Sequence, residues 1–177
     1  MPSDLIRPSV PVPMPSPPLQ SHSLGAADGN AQSDTARQTA VAGYNVCKGN
    51  YDEAKAIHLD DVERYAADND LWNQRKAVMS VQSPSDWQAC WTCIQTMYQK
   101  GDNAYNQLYS AYEHLNIAFD DIDKGDLAVP VPTKIQWYNA STSQSNAAGS
   151  CNTVAGQDHT AFVSNANSFE AIIVNYG

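Results

Sequence analysis

Two short apolar stretches near the end of the chain, His159-Thr-Ala-Phe-Val-Ser164 and Phe169-Glu-Ala-Ile-Ile-Val-Asn-Tyr176, decide the predicted fold class. Both are rich in β-branched and aromatic residues, and Asn165-Ala-Asn-Ser168 between them is typical of a tight turn. We therefore expect an antiparallel hairpin. Strand character is also predicted for 76–82 and 129–138, and a long polar loop for 139–157.

The middle of the chain has the periodicity of helices. Helical spacing of apolar residues begins near Thr35 and is clearest over 51–67 and 102–123. Another helix is predicted after Ser83-Pro84-Ser85-Asp86, with Gly101 as its end. Helices followed by an antiparallel sheet define an α+β fold, with N-terminal helices packed on a C-terminal sheet.

The composition changes twice along the chain. Most of the ten prolines lie in the first 18 residues, where they favour an extended chain. We therefore predict a disordered Pro/Ser-rich tail over 1–34, a helical extension over 35–75 and a catalytic core over 76–177.

The charge balance excludes several classes of partner. The 177 residues carry a net charge of −9, which argues against nucleic-acid binding and against a basic membrane-surface helix. The N-terminal stretch lacks the apolar run of a secretory signal peptide. A polar, weakly charged composition is common in exported proteins, so we expect secretion by a non-classical route.

The four cysteines, Cys47, Cys90, Cys93 and Cys151, allow three interpretations. They could form disulfides, although Cys90 and Cys93 are poorly spaced on a helix for pairing with each other. A zinc site would need a second close pair of ligands, so no metal is expected. A nucleophilic cysteine would need a histidine base and a residue that orients it.

His159 is the histidine best placed for that role. It opens the first strand of the predicted hairpin, and Asn175 lies near the end of the second. In an antiparallel hairpin these two positions are neighbours, so Asn175 would orient the His159 ring.

The order of these motifs resembles the papain-like cysteine peptidases, in particular the small secreted bacterial branch with staphopain-type enzymes and plant-pathogen effector proteases. The resemblance rests on five segments: Val78-Met-Ser-Val-Gln82, Trp87-Gln-Ala-Cys90-Trp91-Thr-Cys93-Ile-Gln-Thr-Met97, 122–137, His159-Thr-Ala-Phe-Val163 and Ile172-Ile-Val-Asn175. Together they span about 78–177.

The resemblance implies hydrolysis of a peptide bond through a thioester, without a cofactor and on a polypeptide substrate. Cys90 would be the nucleophile, His159 the base, Asn175 its orienter and Gln82 an oxyanion donor. Trp91 would pack beneath the site, and Asp158 would raise the pKa of the adjacent His159. These last two would lie on the substrate side.

Several residues in this pattern differ from the family, and the remaining cysteines need partners. Asp158 stands where a glycine is usual, and Ser85 and Asp86 would place Cys90 in the second turn of its helix. If Cys90 is the nucleophile, we expect Cys47 to pair with Cys151.

Alternatives to a peptidase remain open. The same apparatus performs amidase, deamidase and acyltransferase reactions, since all pass through a thioester. A non-enzymatic secreted or virion interaction module with disulfides is the main alternative, and a metal-binding module is the last.

Overall fold

A computed structural model describes residues 31–177, and these residues form three long helices. Helix α1 spans Ala31–Gln82, α2 spans Pro84–Leu127 and α3 spans Val131–Ile173, and a short 3₁₀ helix follows at Val174–Tyr176. No strand occurs among the described residues. The predicted α+β fold is therefore wrong, and the protein is all-helical over the described part of the chain.

Each predicted strand lies wholly or mostly in a helix, and of the strand predicted at 129–138 residues 131–138 form the start of α3. Residues 76–82 form the last turns of α1, and the predicted loop at 139–157 and hairpin strand at 159–164 are continuous in α3. Most of the second hairpin strand, 169–176, also lies in α3, and the 3₁₀ helix completes it. Short apolar runs fit a buried strand and a buried helix equally well, and only their longer period separates the two.

That longer period is a repeat of four and three residues on all three helices, which is typical of coiled-coil packing. On α2, buried side chains follow it from Cys90 through Ile94, Met97, Ala104, Leu108, Ala111, Leu115 and Ala118 to Ile122. On α1, buried side chains recur every seven residues, and three further buried residues occupy the second core position of the repeat: Tyr44, Tyr51, His58, Tyr65, Trp72 and Met79, with Ala40, Asp61 and Asp68.

The helical predictions for 51–67 and 102–123 are confirmed. Gly101, predicted to end a helix, is instead inside α2, which continues to Leu127. Glycine lowers helix stability by about 1 kcal/mol, and packing along a long helix outweighs this cost.

The connection between α1 and α2 is a single residue, Ser83. Its amide donates to the Met79 carbonyl at 2.8 Å, and its carbonyl accepts from the Trp87 amide at 3.0 Å. The Ser83 hydroxyl accepts from the Asp86 amide at 3.4 Å. Pro84 is the first residue of α2, a position where its missing N–H costs nothing.

The chain divides into two compact units. Among the described residues, unit 1 comprises Lys55–Asn106 and Val154–Gly177, and unit 2 comprises 31–54 and Gln107–Thr153. Helix α1 runs through the predicted boundary at 75/76 without a break. The tail predicted over 1–34 lies mostly outside the described residues, and 31–34 belong to α1.

The interior of unit 1 is built from large side chains. Its core contains Tyr65, Trp72, Met79, Cys90, Trp91, Ile94, Met97, Phe162, Ala166, Phe169 and Ile173. The Trp72 ring lies 5.4 Å from that of Trp87 and 6.0 Å from that of Trp91, measured between centroids.

The interior of unit 2 mixes a few rings with small residues. Ala111, Ala118, Ser141, Ser145 and Ala148 are all fully buried. The Ser141 hydroxyl donates to the Ala118 carbonyl at 2.7 Å, which joins α3 to α2. The Tyr138 hydroxyl donates to Asp126 at 2.7 Å.

Candidate functional site

Cys90, the predicted nucleophile, is a core residue of unit 1. It comes six residues after Pro84, the first residue of α2, and is 0% exposed. Burial raises its pKa to about 12, with smaller contributions from Cys93 and Asp86. A reactive cysteine needs a lowered pKa and access to substrate, so this environment favours packing over nucleophilic attack.

His159, the predicted base, lies on the inner side of α3 and faces α1. Its Nδ1 lies 2.7 Å from Oδ2 of Asp61. Asp61 is buried, and burial raises its pKa, while the hydrogen bond from His159 acts in the opposite direction. His159 therefore has an orienting carboxylate, but the partner is Asp61 and not Asn175.

The structure does not bring Cys90 and His159 together. An ion pair of 3.1 Å joins Lys100 of α2 to Asp158 of α3. Lys100 therefore lies at about the same position along the helix axes as His159, the residue after Asp158. Cys90 precedes Lys100 by ten residues, and a helix rises 1.5 Å per residue. Cys90 and His159 are therefore separated by roughly 14 Å along the helices. That distance is far beyond the reach of a direct proton transfer.

Asn175 and Gln82 are also separated from His159. Asn175 lies in the 3₁₀ helix sixteen residues after His159, more than about 20 Å away at helical rise. Its side chain donates to the Ala171 carbonyl at 3.4 Å. Gln82 is the exposed last residue of α1. The predicted pairing of Asn175 with His159 depended on a hairpin. In the structure a continuous helix separates these two residues along its length.

The two predicted substrate-side residues have structural partners in unit 1. Trp91 is 7% exposed and stacks on Trp87 with ring centroids 6.1 Å apart. Asp158 is buried and is held by Lys100. Neither residue borders an assembled catalytic group.

All four cysteines are free thiols. The predicted Cys47–Cys151 pair is not formed, and helix geometry supplies the reason. Cys47 faces Gly149, because a Cβ placed on Gly149 would lie 3.5 Å from the Cys47 sulfur. Cys151 comes two residues later, a rotation of about 200° around α3, so its side chain leaves from the opposite side.

The polar side chains that the structure buries in unit 1 include four on α1: His58, Asp61, Asp68 and Asn69. His58 is 5% exposed, and neither of its ring nitrogens has a hydrogen-bond partner among the described residues. Burial lowers its pKa. The ring lies 6.3 Å from that of Tyr105 on α2.

A second polar group joins α1 to α3 further along unit 1. Arg64 donates through Nε to Glu170 at 2.8 Å and through Nη2 to Asn167 at 2.7 Å. Asp68 is 4% exposed, and its Oδ2 has no hydrogen-bond partner within residues 31–177. Burial and the neighbouring Glu170 raise the pKa of Asp68 to about 7.

Sequence reasoning missed Asp61, Asp68 and His58 as interior residues. Their signal was present in the seven-residue spacing that puts His58 in line with Tyr51 and Tyr65. Asp61 and Asp68 are three residues beyond His58 and Tyr65, which is the second core position of the same repeat.

Within 31–177, no group of three or more His, Cys, Asp or Glu side chains is arranged to hold a metal ion. None of the three helices contains a stretch long and apolar enough to cross a membrane. Comparison of the chain with protein-family models, with curated proteins and with solved structures finds no match.

Proposed function

We propose that this protein is a non-enzymatic interaction module that associates with a second copy of itself along the outer face of α3. The observation that carries the proposal is the chemistry of that face. Every exposed residue of α3 is uncharged: Pro132, Gln136, Asn139, Ser143, Asn146, Ser150, Thr153, Val154, Gly156, Gln157, Thr160, Ser164, Asn167, Ser168 and Ala171.

The charged residues of α3 all have partners on its inner side or at its start. Asp158 pairs with Lys100, and Glu170 pairs with Arg64. Lys134 donates to the Gly125 carbonyl at 3.3 Å. The outer face therefore carries no charged residue apart from the partly exposed Glu170, which is paired with Arg64, and depletion of charged residues is a mark of interface cores.

The other two helices present a different surface. The exposed charged residues of α1 are all acidic: Glu53, Asp60, Glu63 and Asp70. Those of α2 are Asp102, Glu113, Asp120, Lys124 and Asp126. Like charges placed opposite each other cost free energy at an interface.

A second copy fits the α3 face better than it fits the other helices. Each copy has a net charge of −9, so approach through α1 or α2 would oppose acidic residues. Contact between two α3 faces avoids this repulsion. Hydroxyls on this face also bond to the backbone of their own helix, as Thr160 does to the Gly156 carbonyl at 3.1 Å, so contact does not strip them of all their partners.

The residues that suggested catalysis have packing roles, which also supports a non-enzymatic function. Cys90 fills a core position, and His159 is bonded to Asp61. Peptide hydrolysis itself stays a prediction from the sequence. Incubation of the protein with a peptide library, beside Cys90→Ala, is the assay that addresses it.

Sedimentation velocity of the full chain tests the self-association. The test variant is Asn146→Glu with Ser150→Glu, which adds two acidic groups to the outer face of α3. The matched control is Gln99→Glu with Asn103→Glu, two exposed positions with the same spacing on α2. We expect reversible dimers of the parent protein, at least tenfold weaker dimers of the α3 variant, and no change for the control.

Two results would overturn the proposal. One is a parent protein that stays monomeric up to millimolar concentration. The other is equal weakening by the α2 and α3 substitutions, since that would reflect net charge and not a specific face.

A further inference from the structure

Three sulfur-containing side chains of unit 1 lie on one face of α2. Cys90, Cys93 and Met97 follow one another at intervals of three and four residues within this helix. On an α-helix these intervals place side chains on the same side, with neighbouring Cβ atoms about 5–6 Å apart. Two thiols and one polarizable thioether therefore share a single helix face.

The three side chains border the same interior. Cys90 and Met97 belong to the core of unit 1 and are 0% exposed, and Cys93 packs against that core. Both cysteines are free thiols. Cys93 is only half-buried, so its sulfur gives an ion a route from solvent that the buried Cys90 alone lacks.

The surroundings of these sulfurs are apolar on the core side. Trp91 and Ile94 belong to the same core cluster, and Trp87 packs against it one turn before Cys90. Asp86 lies one turn before Cys90, and its carboxylate accepts a hydrogen bond from the Tyr176 hydroxyl. A site with sulfur ligands and apolar walls suits a soft ion, because hard cations prefer oxygen ligands.

The spacing of the two thiols fits a bridging ion better than a disulfide. A disulfide needs Cβ atoms about 3.5–4.5 Å apart, which is closer than the helix holds them. With metal–sulfur bonds of about 2.3 Å, two thiolates on opposite sides of one ion have sulfurs about 4.6 Å apart. The helix separates the Cβ atoms by only slightly more, so side-chain rotation closes the difference without a change in the backbone.

We propose that Cys90 and Cys93 bind one Cu(I) ion as thiolates, with the Met97 thioether as its third ligand. Soft thiolate and thioether ligands select Cu(I). Structural zinc and iron–sulfur clusters are held by four ligands, and within 31–177 no group of three or more His, Cys, Asp or Glu side chains is arranged to hold a metal ion. On binding, two S–H bonds break, two copper–thiolate bonds form and two protons pass to solvent. The oxidation state of copper does not change.

Anaerobic competition for Cu(I) with the chromogenic chelator bicinchoninate tests the site in the full chain. Cys47 and Cys151, the thiols of unit 2, are first replaced by serine, and this background protein should bind Cu(I) as tightly as the parent. We expect one ion per chain and two protons released per ion, measured with a pH indicator in weak buffer. Cys93→Ser in the same background should bind at least a hundredfold more weakly.

The matched control keeps the number of thiols and moves one of them. Thr92 is exposed and adjacent to Cys93, and it lies about 200° around the helix from Cys90. Thr92→Cys combined with Cys93→Ser should therefore bind as weakly as Cys93→Ser alone. Met97→Leu conserves core volume and should weaken binding about tenfold, because it removes only the thioether.

Three results would overturn the proposal. One is binding by Cys93→Ser within twofold of the background protein, and another is full recovery by the variant with the moved thiol. The third comes from X-ray absorption at the copper edge of the background protein, which needs no core substitution. We expect three sulfur ligands, and nitrogen or oxygen ligands would contradict the site. Unchanged affinity in Met97→Leu would contradict the third ligand.

Discussion

Units 1 and 2 use the same helical repeat with opposite kinds of interior. Unit 1 fills its core positions with aromatic rings and methionines, and it also buries His58, Asp61 and Asp68. Unit 2 uses alanines and serines between a few rings, and its buried Ser141 is bonded to a neighbouring helix backbone. The comparison shows that a cysteine or histidine at a buried heptad position has a packing role. A catalytic role for such a residue has to be argued from the side chains around it.

The largest expected effect is the difference in thiol reactivity of Cys90 between the native protein and the unfolded chain. We expect Cys90 of unit 1 to react with iodoacetamide at pH 8 at least a thousandfold more slowly in the native protein than in the unfolded chain. Burial and a pKa of about 12 keep it protonated. Cys93, which is only half-buried, should be labelled before Cys90. Peptide mapping by mass spectrometry gives the order, and fast labelling of Cys90 would restore the nucleophile hypothesis.

Loss of a large ring should weaken unit 1 severely. Trp72→Ala removes a side chain that contacts both Trp87 and Trp91. We expect a loss of about 3–5 kcal/mol in the free energy of unfolding, measured in urea. Trp72→Phe is the control and should recover at least half of the loss. A cost below about 1 kcal/mol for the alanine variant would mean that the tryptophan cluster does not support unit 1.

Unit 2 should instead be sensitive to added volume. A Cβ at Gly125 would lie 2.7 Å from Cδ1 of Tyr138, so Gly125→Ala forces the ring or helix to move. We expect a loss of about 1–3 kcal/mol by thermal or urea unfolding. Gly125→Ala in a Tyr138→Leu background should cost less. An equal cost in both backgrounds would show that the close approach to the ring is not the cause.

The buried histidine of unit 1 should make stability depend on acid. The pKa of His58 in the folded protein is below its ordinary 6.5, because burial disfavours the charged ring. Its contribution is therefore complete above pH 6.5 and is lost as pH falls toward the folded value. We expect the parent to lose up to about 1.4 kcal/mol per pH unit relative to His58→Phe between pH 6.5 and 5. Parallel stability curves for the two proteins would contradict this origin.

The smallest effect should be a gain in unit 2. Gly49 is exposed within α1, and among the described residues no heavy atom beyond the adjoining helix backbone lies within 4 Å of a Cβ placed there. Gly49→Ala should stabilise the protein by up to about 1 kcal/mol through helix propensity. Calorimetry measures the rise in Tm, and Gly49→Ser serves as a control with a smaller expected gain. A lower Tm for the alanine variant would show that α1 is constrained at this residue.

Part of the fold could be predicted from the sequence. The helices over 51–67 and 102–123 follow from apolar spacing, and the break before Pro84 follows from turn chemistry at Ser83. The helix over 139–157 could not be found by local propensity, because Asn, Ser, Thr and Gly favour loops as isolated residues. Only the repeat through Tyr138, Ser141, Ser145 and Ala148 indicates it, and that repeat uses small polar residues where apolar ones are expected.

Less of the candidate site than of the fold could be predicted from the sequence. His159 and Asn175 were joined by an assumed hairpin, and the separation between them depends on the rise of α3. The polar group around Asp68 depends on which residues of α1 and α3 lie level with each other. No local pattern states that alignment, because the same heptad permits several registers.

The sequence by itself determined the acidic charge, the helical repeat and the turn at Ser83-Pro84, because each is a property of neighbouring residues. The tertiary structure decided which polar side chains share the interior. Asp61 meets His159 across 98 residues of chain. Such pairs arise only when packed helices exclude water from polar groups that no local sequence pattern marks as partners. Burial decides this, because an unbonded charge is costly only where water is excluded.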